Sequence, residues 1–306
     1  MNNLDNVAVR NFLVFATTAY MVGTIAHVIG RKQQGKPTQV KRLLIFVLIY
    51  AVAYGALAAP PIITTIALSV VCSLAANELF GALARKTQSP QRLTRFVSLG
   101  AAAATPVVAA YVSEALSPFL FVSFAVLISL PILNQDYDHA LSRAGAGMLS
   151  LLFAANVSLF LSLQRLPRGI ALSFWLISLI SATDVYSILF GGLFGKHPLW
   201  SKLSPGKTVE GSVLGLIFAS LTCYFAARLL LLDIPVVEAL VVGATVSLAA
   251  QVGDLTASIF KREAGIKDYG TLIPYQGGIL DRFDSCILAV PVFYWLVTHW
   301  MTIASR

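Results

Sequence analysis

Charged and glycine residues concentrate between residues 251 and 285, where the chain reads QVGDLTASIFKREAGIKDYGTLIPYQGGILDRFDS. Carboxylates bind hard divalent cations such as Mg²⁺, and glycine pairs let backbone amides approach a phosphate. Together with lysine and arginine, which neutralise phosphate oxygens, these residue types favour phosphoryl or nucleotidyl transfer. The candidates in this segment are Asp254, Lys261, Arg262, Lys267, Asp268, Gly277, Gly278, Asp281, Arg282 and Asp284.

A second polar cluster, GKHPLWSKLSPGKTVEG, occupies residues 195–211. It is not a Walker A loop, because the first glycine and the required spacing to Gly-Lys are absent. Its portion from Ser204 to Thr208 predicts a turn before a helix start, where Lys207 and the hydroxyls could bind an anion. Thr208 can equally be a plain N-cap with Glu210 in the first turn, and for this motif alone the cap is the better interpretation.

Two acids stand inside apolar runs: Asp184 in LISLISATDVYSILFGG and Asp254 in SLAAQVGDLTASIF. A carboxylate at membrane depth costs on the order of several kcal/mol unless it is paired or binds a cation. A structural hydrogen bond between helices, made by a protonated Asp184, is the alternative. Two such acids in separate predicted spans indicate one shared, buried site.

The composition indicates a membrane protein. Hydrophobic residues make up 57% of the chain, charged residues 12%, and the mean hydropathy is +0.79. Since a spanning helix needs roughly 20 apolar residues, we predict an all-α, polytopic transmembrane helical bundle of about 9–10 spans. The predicted spans lie near 10–29, 43–59, 62–83, 96–112, 116–133, 145–163, 170–194, 209–232, 234–260 and 284–303.

The basic residues predict the orientation of these spans. Of the 22 lysines and arginines, 17 fall in the connections after odd-numbered spans, so these loops are expected to face the cytoplasm. The net charge of +8 is then explained by topology and anionic lipid headgroups, and no nucleic-acid partner is expected. Without a recognisable cleavable signal or transit peptide, we expect an integral protein of a bacterial inner membrane.

The two halves of the chain also differ in how many polar motifs they contain. Residues 1–175 are mostly apolar spans with short basic loops, whereas residues 176–306 interleave spans with the polar motifs. We therefore predict N-terminal transmembrane helices followed by a C-terminal transmembrane catalytic region with cytoplasmic polar loops. The scattered cysteines Cys72, Cys223 and Cys286 indicate neither a disulfide framework nor a zinc site.

The polar segment resembles the phosphatidate cytidylyltransferases, or CDP-diacylglycerol synthases. Their signature is S-x-x-K-R-x4-K-D-x-G-x2-[LI]-P-x-H-G-G-x-x-D-R-x-D, and residues 258–284 match it at every position except Gln276, where the family has His. The segments GDL (253–255), SPGKTVEG (204–211) and FGKH (194–197) also resemble family motifs. The likeness covers about residues 180–285, or roughly a third of the chain.

The resemblance implies a reaction in which CTP and phosphatidic acid give CDP-diacylglycerol and pyrophosphate. It implies Mg²⁺ held mainly by Asp254 and Asp281, with Asp284 and Asp184 as weaker candidates, and it allows a second cation. The basic residues Lys261, Arg262, Lys267 and Arg282 would bind the phosphates beside Asp268. Residues expected to line the substrate site are Ser204, Lys207, Thr208, Glu210, Gln276, Gly277 and Gly278.

Two departures keep alternatives open. Gln276 cannot act as an acid or base near neutral pH. Where the family usually reads A-x-D-T-G-A-Y, this chain reads ATDVYS at residues 182–187, so the acid remains and the Thr-Gly-Ala step is replaced. A related CTP-dependent transferase acting on another lipid phosphate is one alternative, and a non-catalytic lipid-binding paralogue is another. A transporter would use intramembrane acids but leaves the loop motifs unexplained. The expected partners are CTP, phosphatidic acid or a similar lipid phosphate, and membrane lipids, with a homodimer left open.

Overall fold

The computed structural model describes residues 38–87, 92–135, 137–274 and 276–300. Within these ranges nearly all regular structure is α-helical, so the predicted all-α class is confirmed. The predicted span near 10–29 lies outside the described residues.

The helices follow the apolar runs of the sequence. The first is bounded by the Pro60-Pro61 step, since proline suits the first turn of a helix but not its interior. The helices are α1 (Thr38–Ala58), α2 (Pro61–Thr87), α3 (Arg92–Tyr111), α4 (Leu116–Asn134), α5 (Ala140–Gln164), α6 (Gly169–Phe194), α7 (Val209–Leu229), α8 (Val236–Glu263), α9 (Leu280–Phe283) and α10 (Cys286–Trp295).

Seven helices in the described part of the chain are long and apolar enough to cross a membrane, and they are α2 to α8. The predicted span at 43–59 coincides with α1, whose described apolar stretch is the shorter Leu48–Ala58. The predicted last span, 284–303, begins with the ten residues of α10 and continues as a π-helical turn over Leu296–Trp300. These features make the protein an integral membrane protein by length and composition.

The chain divides into two compact units. The described part of the first unit comprises residues 38–58, 163–255 and 288–300, and that of the second lies within 59–162 and 256–287. The division falls inside α8, so most of that helix belongs to the first unit and its last two turns belong to the second.

Hydrogen bonds and aromatic contacts between helices organise the first unit. The indole Nε1 of Trp175 on α6 donates to the carbonyl of Cys223 on α7 at 2.7 Å. The same indole packs edge-on against Phe293, with ring centroids 5.4 Å apart. The hydroxyl of Thr183 on α6 donates to Ser247 on α8 at 3.0 Å. Polar contacts of this kind hold helices together where apolar burial alone gives little specificity.

A short antiparallel hairpin precedes α7, and the sequence reasoning did not predict it. Strands β1 (Pro198–Trp200) and β2 (Ser204–Thr208) pair with Thr208 opposite Pro198. The segment 204–208, predicted to form a turn, is therefore a strand, and the turn lies at 201–203. The hairpin positions Lys207 and Thr208 directly at the first residue of α7.

In the second unit the helices α2, α3 and α4 pack in sequence order. Its core includes a buried cluster formed by Leu127, Leu130 and Leu151. Phe153 on α5 meets Phe283 on α9 edge-to-face, with ring centroids 6.2 Å apart. This contact packs the short helix α9 against α5, and α9 carries Asp281 of the Asp281–Asp284 motif.

Candidate active site

The first polar site lies where β2 meets α8 in the first unit. The ammonium of Lys207 lies 2.5 Å from Oδ2 of Asp254, and the two side chains are 31% and 26% exposed. Asp254 is therefore half-buried and paired, and Asp184 on α6 is also half-buried. For Asp254 this pairing with Lys207 supplies the partner that a carboxylate inside an apolar run requires.

The start of α7 shows the predicted helix cap. The hydroxyl of Thr208 accepts a hydrogen bond from the backbone N–H of Gly211 at 3.2 Å, as an N-cap does. The Glu210 carboxylate accepts the backbone N–H groups of Lys196 and His197 at 3.1 and 3.2 Å. It also lies 2.5 Å from Nδ1 of His197. Glu210 thus connects the residues before the hairpin to the first turn of α7. Ser204, another residue expected at the substrate site, is half-buried at the start of β2.

The second polar site belongs to the second unit and is largely buried. The ammonium of Lys261 donates to Oδ1 of Asp281 at 3.0 Å and to Oδ2 of Asp284 at 3.4 Å. These residues are only 8%, 5% and 9% exposed. One lysine between two carboxylates leaves a net negative charge, and such a cluster requires precise hydrogen bonding to be stable.

Backbone groups supply part of that hydrogen bonding. Oδ2 of Asp281 accepts the N–H of Tyr269 at 2.8 Å and the N–H of Gly278 at 2.9 Å. Gly277, with φ of 91°, adopts the left-handed conformation that glycine tolerates best, and a Cβ there would lie 2.8 Å from the same oxygen. The glycine pair of the motif is therefore used to wrap the backbone around the Asp281 carboxylate.

Tyr269 completes the buried cluster. Its ring lies 5.6 Å from the Lys261 ammonium, and its hydroxyl donates to the carbonyl of Ala257 at 3.2 Å. Burial raises the pKa of the Tyr269 phenol well above its usual range, and the carboxylates of Asp281 and Asp284 raise it further. The phenol therefore stays protonated and acts as a hydrogen-bond donor.

The other residues of the motif lie at the surface of the loop. Arg262, Lys267, Asp268 and Arg282 are exposed. The Arg262 guanidinium donates to the carbonyl of Ile266 at 3.0 Å, and that of Arg282 donates to Oε1 of Gln276 at 3.4 Å. The exposed cations remain able to meet a charged ligand arriving from solvent.

Sequence reasoning missed Glu78 on α2. Its two carboxylate oxygens accept the backbone N–H groups of Ile279 and Leu280 at 2.9 and 2.8 Å. The signal was available, because an acid within an apolar span is by default a functional residue. Glu78 is an acid of this kind, as Asp184 and Asp254 are, but it lies far from the polar motifs in sequence.

The donor set fits a magnesium ion in chemical type. Among the described residues no group of three or more His, Cys, Asp or Glu side chains is arranged to hold a metal. Mg²⁺, however, usually takes one or two protein carboxylates together with water and substrate phosphates. Asp254 and Asp281 are each paired with an ammonium group. A divalent cation at either carboxylate would therefore have to replace that lysine at the oxygen or share the carboxylate with it.

The fold and the two polar sites define the class of this protein: an integral membrane protein with two lysine–carboxylate sites. The chain belongs to the cytidylyltransferase family, whose model matches residues 40–300. The sequence resemblance noted for residues 180–285 therefore extends over most of the chain.

Curated relatives are similar to parts of the chain. "Uncharacterized protein YnbB" of Escherichia coli (strain K12) is 32% identical over 182 residues, covering 58% of this chain and 61% of the relative. The phosphatidate cytidylyltransferase of Staphylococcus saprophyticus is 33% identical over 167 residues, covering 55% and 64%. That of Bacillus subtilis (strain 168) is 35% identical over 139 residues, covering 45% and 52%. The chain thus matches less than two thirds of the length of each of these relatives.

Proposed function

We propose that this protein transfers a cytidylyl group from CTP to phosphatidic acid, giving CDP-diacylglycerol and pyrophosphate, with Mg²⁺ as cofactor. Membership of the cytidylyltransferase family and the names of the Staphylococcus and Bacillus relatives support this activity. The seven apolar helices support a substrate that resides in the membrane.

The observation that carries the proposal is the buried bridge from Lys261 to Asp281 and Asp284. A lysine held between carboxylates combines, in one place, a cation for phosphate and acids for a metal ion. Burying three charged groups is costly. A reaction between polyanions would give such a cluster beside a glycine turn a function.

The reaction is an in-line displacement at phosphorus. An oxygen of the phosphatidic acid phosphate attacks the α-phosphorus of CTP, the bond to the oxygen bridging the α- and β-phosphates breaks, and pyrophosphate leaves. An ionised phosphate monoester needs no general base, so Gln276 in place of His is compatible with turnover. The main barrier is repulsion between two polyanions, which positioned cations lower.

The side chains of the chain then have distinct roles. Lys207, at the end of the hairpin, would bind nucleotide phosphates together with the residues around the α7 cap. Lys261 and the exposed cations Arg262, Lys267 and Arg282 would neutralise the triphosphate and the lipid phosphate, beside Asp268. Asp254 and Asp281 would hold Mg²⁺, with Asp284 and Asp184 as further ligands or as ligands of a second cation. When bound, the metal supplies Lewis-acid charge that stabilises the transferring phosphoryl group.

The proposal includes a location. The acyl chains would stay in the bilayer, and the polar loops at 195–208 and 264–279 would face the cytoplasm of a bacterial cell, where CTP is available. The excess of basic residues in these connections supports this orientation.

The test uses purified protein with phosphatidic acid, Mg²⁺ and CTP labelled at either the α- or the γ-phosphate. Cytidylyl transfer moves only the α-label into the lipid and releases pyrophosphate in equal amount. Transfer of the γ-label would instead identify a CTP-dependent lipid kinase. Glu263→Gln, which alters an exposed ion pair with Lys86, serves as the control variant with unchanged turnover.

Gln276 favours one second candidate, a transferase of the same chemistry that acts on another lipid phosphate. A panel of lipid phosphate acceptors with α-labelled CTP distinguishes the two. A prenyl phosphate labelled faster than phosphatidic acid would replace the proposed acceptor and leave the cytidylyl transfer itself in place.

A further inference from the structure

Glu78 is the one acid of α2, and no motif of the cytidylyltransferase signature includes it. It lies in the run SLAANELFGALA and is half-buried. The contacts of its carboxylate lie about two hundred residues further along the chain, in the loop that carries the proposed metal ligand Asp281.

The carboxylate holds two consecutive backbone amides. Oε1 accepts the N–H of Ile279 at 2.9 Å, and Oε2 accepts the N–H of Leu280 at 2.8 Å. Hydrogen bonds to an ionised acceptor are stronger than those between neutral groups. Because each oxygen has its own donor, the backbone immediately before Asp281 is fixed in both position and orientation.

The loop is shaped to receive this carboxylate. A Cβ at Gly270 would lie 2.5 Å from Oε1 of Glu78, and a Cβ at Gly278 would lie 2.4 Å from Oε2. Any larger residue at either place would have to displace the Glu78 side chain. The two glycines therefore leave the space that the carboxylate fills.

The same loop is also held from its other side. The Asp281 carboxylate accepts the N–H of Gly278, directly before the two amides that Glu78 holds. Residues 278–280 are thus fixed between two carboxylates, of which Asp281 also contacts Lys261 at 3.0 Å. A shift of this backbone would move the Asp281 side chain and the exposed Arg282 together.

We propose that Glu78 is a positioning residue of the active site, which holds the backbone of residues 278–281 so that Asp281 keeps its place against Lys261. This inference rests on the proposed function for its catalytic meaning. Both carboxylate oxygens of Glu78 are engaged by backbone N–H groups, so its proposed role is to hold the loop. Displacement of catalytic groups by about 1 Å can cost on the order of 100-fold in rate, which sets the scale of the expected effect.

The first experiment measures hydrogen exchange and does not depend on turnover. In Glu78→Gln the amide nitrogen of the new side chain opposes a backbone N–H, so one of the two hydrogen bonds is lost. We expect the peptide covering 276–284 to lose protection in this variant, while peptides from α4 and α5 keep theirs. Unchanged exchange at 276–284 in both Glu78→Gln and Gly270→Ala would overturn the inference.

The second experiment is a double-mutant cycle with steady-state kinetics. Gly270→Ala should displace the Glu78 carboxylate from the backbone N–H groups that it accepts. Both Gly270→Ala and Glu78→Ala should then lower kcat on the order of 100-fold, with little change in KM. In Glu78→Ala the obstructing side chain is absent, so adding Gly270→Ala should change kcat by no more than about twofold. Gly81→Ala on the same helix is the control, because a Cβ there meets nothing within 4 Å.

The outcomes separate this inference from the proposed function. A purely structural anchor would lower the melting temperature and leave kcat per folded molecule unchanged, and that result would overturn the positioning role. If the wild-type protein shows no cytidylyl transfer, the proposed function fails, while the exchange experiment still tests whether Glu78 holds the loop. Normal wild-type turnover with independent effects of Glu78→Ala and Gly270→Ala would overturn this inference alone.

Discussion

Asp254 and Asp281, the two acids to which the resemblance assigns the metal ion, have different surroundings. Asp254 shares a half-exposed ion pair with Lys207, whereas Asp281 is buried with one lysine and two backbone donors. Partly exposed pairs contribute less than about 1 kcal/mol, but removing one member of a buried pair costs about 3–5 kcal/mol. The two residues therefore differ in what they do for folding.

We predict that Asp254→Asn and Asp281→Asn both abolish Mg²⁺-dependent turnover but differ in stability. Asp254→Asn should melt near the wild-type temperature, because its lysine can be solvated. Asp281→Asn should melt clearly lower, because Lys261 loses the closer of its two carboxylates. Thermal unfolding in detergent and the α-label assay measure the two effects, and full activity in either variant would contradict the metal assignment.

Gln276 permits a prediction about pH. Its Oε1 accepts from the Arg282 guanidinium at 3.4 Å, and a neutral histidine at this position could accept the same hydrogen bond. An imidazolium could not, and it would repel Arg282. We expect Gln276→His to retain or raise activity at pH 8 and to lose it as the pH falls through about 6.5, the ordinary imidazole pKa.

The comparison for this prediction is Gln276→Asn, which is shorter but does not titrate. Its activity and that of the wild type should show no corresponding loss at pH 6.5. A pH–rate profile of Gln276→His that overlays the wild-type profile would show that residue 276 does not interact with Arg282 during turnover.

At the level of secondary-structure elements, the sequence predicts the long helices well and the hairpin poorly. Continuous apolar runs determine helices such as α6 and α7, since a membrane requires all backbone groups to bond within the segment. Strands β1 and β2 have only three and five residues and contain Pro198 and Pro205. They show no clear alternation of apolar and polar residues, so the sequence pattern does not predict them. The role of Glu78 is not predictable from local sequence, because its carboxylate contacts Ile279 and Leu280, about two hundred residues further along the chain.

The cap at Thr208 joins the hairpin to α7 and gives a prediction at this scale. Thr208→Ala removes the oxygen that accepts from Gly211 and should destabilise the protein by about 1 kcal/mol. Because Lys207 precedes the cap, the apparent affinity for CTP should also fall. Thr208→Ser keeps the oxygen and should behave like the wild type in both the melting temperature and the KM for CTP.

For the whole molecule, the number of membrane-spanning helices between the two polar loops determines whether these loops lie on the same side of the membrane. The loops at 195–208 and 264–279 are separated by α7 and α8, both of which are long and apolar enough to span. Two crossings return the chain to the side from which it left, so both loops should face the same compartment. The connection at 230–235 between these helices should face the opposite one.

Single cysteines at exposed positions test this arrangement, because the native Cys72, Cys223 and Cys286 are buried and should react slowly. We expect Lys202→Cys and Thr271→Cys to react with a membrane-impermeant maleimide in inside-out vesicles but not in intact spheroplasts, and Asp233→Cys to react in the opposite preparation. Labelling at 202 and 271 in opposite preparations would mean that α7 and α8 do not both cross the bilayer. Labelling of both from outside the cell would leave the crossings intact but separate the polar loops from cytoplasmic CTP, which would exclude the proposed reaction in the cell.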